Sequence, residues 1–103
     1  MGPGEAKARS YEVIFLNIRI TRRVEKYIDD LHEKDSRIIS EHIDRLVDHP
    51  HARGDIKRLN TPKERYRMHI SYRYTVFLYP DGKDLIVNEI MTTEEAHKRY
   101  GRI

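Results

Sequence analysis

A helical hydrophobic period fills one block of this chain and extended patterns flank it on both sides, and this limits the possible folds more than any other feature. Between Thr21 and Val47 apolar residues recur three or four apart, first Val24, Tyr27, Ile28 and Leu31, then Ile39, Ile43, Leu46 and Val47. That spacing gathers them on a single stripe of each helix. In the first helix Arg22, Arg23, Glu25, Lys26, Asp29 and Asp30 fall on the wet side, and Thr21 is suited to cap its start. The second helix is expected to begin near Asp35 or Ser36 and to stop before Pro50, because a residue preceding proline is disfavoured in helical geometry. Together the segments predict an αα-hairpin.

Upstream, Tyr11 to Ile18 carries β-formers on both faces, which suits a strand buried on two sides. Downstream, Tyr66, Met68 and Ile70 alternate with Arg67 and His69, and Tyr72 to Tyr79 continues as a second extended run. Pro80-Asp81-Gly82-Lys83 reads as the turn of a hairpin whose second strand is Leu85 to Met91. Thr92 followed by Glu95 matches a capping box and predicts a short helix through Tyr100. From His51 to Arg65 the periodicity lapses, so this basic stretch reads as a connection anchored by Leu59. The predicted order is β-α-α-β-β-β with a short C-terminal helix. It describes an α+β fold, a mostly antiparallel four-stranded sheet packed by an N-terminal αα-hairpin.

A chain of 103 residues has room for one core. Residues 1–10 read as a disordered tail and residues 11–103 as a single domain. With no cysteine, neither a disulfide framework nor a thiolate zinc site is available, and a reducing, cytoplasmic setting is expected. The longest clear apolar run, Val13 to Leu16, is far too short to cross a bilayer, so no membrane partner is expected. Charge is unevenly spread: residues 11–52 hold seven basic and nine acidic side chains, whereas residues 53–79 hold seven and two. Such a local excess attracts polyanions or an acidic protein partner, although a merely solvated surface has the same composition.

The stretch Arg65 to Tyr74 carries most of the chemistry. Strand alternation places Arg67, His69 and Arg73 on a common sheet face, where three cations repel one another unless an anion or a carboxylate compensates. A phosphate-binding role is favoured over scattered surface charges. Tyrosines interleave with these arginines and offer faces on which an unstacked RNA base can rest, while the same tyrosines also suit half-buried strands. The six histidines are dispersed and contain no His-Glu-x-x-His spacing, so no metal site and no cofactor is expected. The absence of a glycine-rich phosphate loop and of a serine elbow removes the common nucleotide-binding and hydrolase readings.

In element order, length, basicity and local motifs, the chain resembles the RelE/ParE superfamily, the toxins of bacterial and archaeal toxin–antitoxin modules. The matching features are the first strand, a helical hairpin ending in Asp48-His49-Pro50, Arg58-Leu59, Tyr66-Arg67-Met68, Tyr72-Arg73-Tyr74 and the late Tyr100. For a RelE-like protein the resemblance implies a ribosome-dependent mRNA endoribonuclease held inactive by a wrapping antitoxin. Its metal-free chemistry would be attack of a 2′-hydroxyl on the adjacent phosphodiester.

By position, Arg73 matches the arginine that would contact the scissile phosphate, Arg67 another basic strand position, and Tyr100 the late tyrosine. His69 falls where the family carries Lys or Arg and, titrating near neutrality, could act as general base or acid. Lys57, Arg58, Arg65, Lys98 and Arg99 complete the implied RNA-binding set. The implied partners are an acidic cognate antitoxin, with a heterotetramer as one assembly open to the pair, and the ribosome with its mRNA. One departure favours an alternative. Where the family places a Gly-x-Arg-like segment after the last strand, this chain has Met91-Thr92-Thr93-Glu94-Glu95. The alternative is a non-catalytic or ParE-like member that binds a protein target such as gyrase, or only its antitoxin.

Overall fold

The computed structural model describes residues 17–48 and 56–102. Along the chain come β1 (Asn17–Ile20), α1 (Arg22–Asp29), α2 (Glu33–Asp48), β2 (Ile56–Arg58), β3 (Tyr66–Ile70), β4 (Tyr74–Asp81), β5 (Asp84–Thr92) and α3 (Thr93–Tyr100). The capping threonines act as their positions suggest: Thr21 Oγ1 accepts from the Val24 amide at 3.4 Å, and Thr92 Oγ1 from the Glu95 amide at 3.1 Å. Helix α2 begins earlier than Asp35, at Glu33, and both acids lie in its first turn, where the helix dipole favours negative charge. Gly82, at φ +64°, supplies the left-handed residue of the tight turn between β4 and β5. The expected tail 1–10, residues 11–16 of the expected first strand, and His49, Pro50 and His51 lie outside the described residues.

The sheet corrects the expected one in two respects. It has five strands in the order β1-β5-β4-β3-β2, and it is mixed, because β1 runs parallel to β5 with Ile18 beside Leu85 and Ile20 beside Val87. The additional strand, β2, falls in the stretch read as a connection and pairs antiparallel with β3, Ile56 opposite Met68 and Arg58 opposite Tyr66. Ile56-Lys57-Arg58 shows no apolar alternation because an edge strand can be held by backbone pairing alone, and charged side chains suit an edge.

Both sheet faces are covered. Val24, Ile28, Ile39, Ile43 and Leu46 of the helical hairpin pack on Met68, Ile70, Tyr74, Val76, Leu78, Leu85, Val87 and Ile90. On the other face, α3 folds back so that Ala96 meets Phe77 and Met91, with Leu59 alongside. A β-bulge sets what this second face displays. Phe77 pairs with Glu89 but Leu78 pairs with Val87, so Asn88 is an extra residue and β5 changes phase. Strict alternation after Leu85 and Val87 would send Glu89 into the helix-covered core. The bulge gives that place to Ile90 and brings Glu89 out beside Phe77, beneath α3.

Candidate functional site

Glu89 is the centre of the α3-covered face. Its side chain is only 11% exposed, and four polar side chains from three segments converge on it. Arg65, just before β3, reaches Oε1 at 2.7 Å, and the Tyr100 hydroxyl donates to the same oxygen at 3.0 Å. Arg99 of α3 donates to Oε2 at 3.3 Å, and Arg23 of α1 lies 3.8 Å from it. Arg65 is also held from the side, its guanidinium 5.0 Å from the Phe77 ring centre and 5.8 Å from that of Tyr100. Three guanidinium groups thus share one carboxylate, and the neighbourhood keeps a positive surplus.

Beside this cage runs a chain of hydroxyls. His69 Nδ1 lies 2.8 Å from Oγ1 of the fully buried Thr75, its cross-strand neighbour, and that oxygen lies 3.0 Å from Thr93 Oγ1 at the start of α3. The His97 ring of α3 stands edge-on to His69 at 6.4 Å. Arg67 shares the same face, buried to 9% exposure between Lys57 on β2 and Phe77 on β4.

Of the residues singled out in the sequence, this face gathers Arg65, Arg67, His69, Arg99 and Tyr100. Lys57 and Lys98 stay exposed at its margin, whereas Arg58, opposite Tyr66, falls on the other side of the sheet and donates to the Leu59 carbonyl at 3.1 Å. Arg73 does not join Arg67 and His69. Its guanidinium turns to α2, 3.6 Å from Asp35, while the Tyr74 hydroxyl donates to the same carboxylate oxygen at 2.7 Å. The expected common face fails for a local reason. Ser71 and Tyr72 take φ of 54° and 60°, so strand alternation does not carry through the turn to Arg73. The Arg73 carbonyl instead accepts from the Thr93 amide at 2.8 Å and ties the turn to the start of α3.

Three phenols are held protonated beyond their ordinary range. Burial raises Tyr27, with Glu95 adding to the shift. Tyr74 is raised by burial and then by its bond to Asp35, and Tyr66 chiefly by its hydrogen bond to Glu64. Among the described residues, no three His, Asp or Glu side chains are grouped to hold a metal ion. No described helix is long and apolar enough to cross a membrane. Glu89, Arg23 and Thr75 escaped the sequence reading. A lone acid inside the apolar run Leu85 to Met91 was the available signal, since a carboxylate is rarely buried without partners.

With this geometry, the chain superimposes on a chain of the crystal structure of the archaeal RelE–RelB complex from Pyrococcus horikoshii OT3. The TM-score is 0.62 over 77% of this chain and 94% of that one, at 21% sequence identity. The fold is RelE-like. No family model and no curated protein matches the sequence. The RelE-like fold accounts for the helical hairpin on one face of the sheet, and it leaves the opposite face, with its arginines, histidines and Tyr100, to be explained by this chain's own residues.

Proposed function

We propose that this protein is the toxin of a toxin–antitoxin module, a cytoplasmic, ribosome-dependent endoribonuclease that cuts mRNA and so inhibits translation. The observation that supports this most is the surplus of guanidinium groups on the α3-covered face of a RelE-like sheet, beside a histidine whose Nδ1 is engaged by Thr75. In the reaction a 2′-oxygen bonds to the adjacent phosphorus as the bond to the 5′-oxygen breaks, leaving a cyclic phosphate and a free 5′-hydroxyl. Charge accumulates on the phosphorane oxygens, and fixed cations aimed at them lower the barrier without reorganising. Arg67 serves that purpose, and His69 exchanges the proton of the attacking or leaving oxygen. Arg73, paired with Asp35 of α2, stands apart from this set. An acidic antitoxin fits the same basic surface, and the neighbouring fold was solved as a RelE–RelB complex.

The test is primer extension on translated mRNA after induced expression. Cuts within ribosome-bound message are expected for the wild-type protein, and Arg67→Ala and His69→Ala should each lower cleavage about 100-fold or more. Wild-type protein that makes no such cuts, or two folded variants that cut as well as it does, would end this reading. A second reading is favoured by Glu89, which occupies Arg65, Arg99 and Tyr100, and by Glu94 and Glu95 at the start of α3. In it the chain is non-catalytic or ParE-like and binds gyrase or only its antitoxin. It expects growth arrest without cleavage, or neither.

A further inference from the structure

Glu89 takes three hydrogen bonds and a further ion pair on its two oxygens, Arg65 and Tyr100 donating to Oε1, Arg99 donating to Oε2 and Arg23 standing 3.8 Å from Oε2. This is the pattern a phosphodiester's two non-bridging oxygens would satisfy. A structural staple would need no such excess, because one guanidinium balances one carboxylate and removing charges from water is costly. The donors also differ in how firmly they are held. Arg65 is 27% exposed and stacked on Phe77 and Tyr100, whereas Arg23 and Arg99 are 76% and 55% exposed. An open cleft of about 440 Å³, lined by Arg23, Tyr27, Glu89, Thr92, Glu95 and Arg99, brings solvent to the Oε2 side.

We propose that Glu89 is a built-in competitor for RNA: in the free protein its carboxylate occupies arginines that a backbone phosphate would otherwise meet, and an incoming phosphate, binding in the open cleft beside it, draws Arg23 and Arg99 away from Oε2. Arg65 and Tyr100 stay on Oε1. The inference rests on the proposed RNA-directed function and adds to it both the residue that restrains the site and an arginine, Arg23, from the helical hairpin. Glu89 thereby lowers affinity for RNA in general and leaves tight binding to substrates that supply further contacts.

The experiment measures binding of single-stranded oligouridine by fluorescence anisotropy over a range of salt, with the full chain and no ribosome. Glu89→Gln keeps the shape of the side chain and removes its charge. Each arginine freed to meet a phosphate should raise affinity roughly 5-fold at about 0.1 M salt, from a slope of about 0.7 per phosphate neutralised on single strands. A gain of about 5- to 25-fold with a steeper salt dependence is therefore expected for Glu89→Gln. Asp84→Asn makes the same charge change at the opposite end of β5, in the exposed pair with Arg19 at 3.5 Å, and should stay within about twofold of wild type. A folded Glu89→Gln that binds no tighter, or an Asp84→Asn that matches its gain, overturns the proposal.

Should Glu89→Gln not fold, the exposed pair Arg23→Ala with Arg99→Ala should weaken wild-type binding by the same factor, and undiminished binding by that variant is equally fatal. A protein that shows the Glu89→Gln gain but never cuts translated mRNA retains this inference and loses the nuclease reading. One that cuts message but has flat affinities loses only this inference.

Discussion

Tyr74 shows how a single side chain joins stability to charge. It is 6% exposed, packs with the helix-covered core, and spends its hydroxyl on Asp35, which also faces Arg73. Replacing it with Phe keeps the ring and removes the donor, and should cost roughly 1 kcal/mol in urea unfolding. The pH dependence has a definite sign. Burial and Asp35 raise the phenol above its ordinary 10.0, so the unfolded chain releases the proton first. The stabilisation is complete below that value and is lost as pH rises through the folded-state one. Tyr74→Phe should therefore fall off less steeply above pH 10.0 than the wild type, and parallel curves would count against the assignment. That Tyr74 belongs to a strand was legible in its sequence; that it bonds to Asp35 was not, because the two are brought together only by the packing of α2 on β4.

The hairpin of β3 and β4 shows the same division for a whole element. Its alternating residues announce both strands, yet the turn between them contains no glycine. Ser71 and Tyr72 both sit in the left-handed region, and Tyr72 is 95% exposed, so no packing of its ring repays the backbone conformation. Ser71→Asn with Tyr72→Gly supplies residues that adopt these angles readily, and should stabilise the protein by about 1 kcal/mol, read from the denaturant midpoint. No change would mean that the turn relaxes at little cost. Because Arg73 closes this turn on the Ile70 carbonyl and its own carbonyl holds Thr93, the turn also fixes where α3 begins.

At the scale of the molecule, the sheet separates a large core under the helical hairpin from a small one under α3, and the candidate site belongs to the small one. Phe77 is fully buried there and supports both the Arg65 guanidinium and the Tyr100 ring, whose centre is 5.1 Å away. Phe77→Ala should cost ~3–5 kcal/mol, a large share of the roughly 5–15 kcal/mol available to a domain. Amide exchange should quicken in α3 before it does in α1 and α2. Uniform loss of protection over every element would show instead that the two cores are not separable.

By itself the sequence determined the helical segments and the extended runs of β3, β4 and β5, where Thr21 and Thr92 cap, and that basic residues crowd the region around β3, because periodicity, capping chemistry and charge are written in neighbouring residues. Only tertiary structure decided that β2 pairs as a fifth strand, that β1 lies parallel to β5, that a bulge at Asn88 turns Glu89 to the α3 side, and that Arg73 faces Asp35. Each of these depends on which distant backbone or opposite charge comes within reach, and a bulge of one residue reverses the face of everything beyond it.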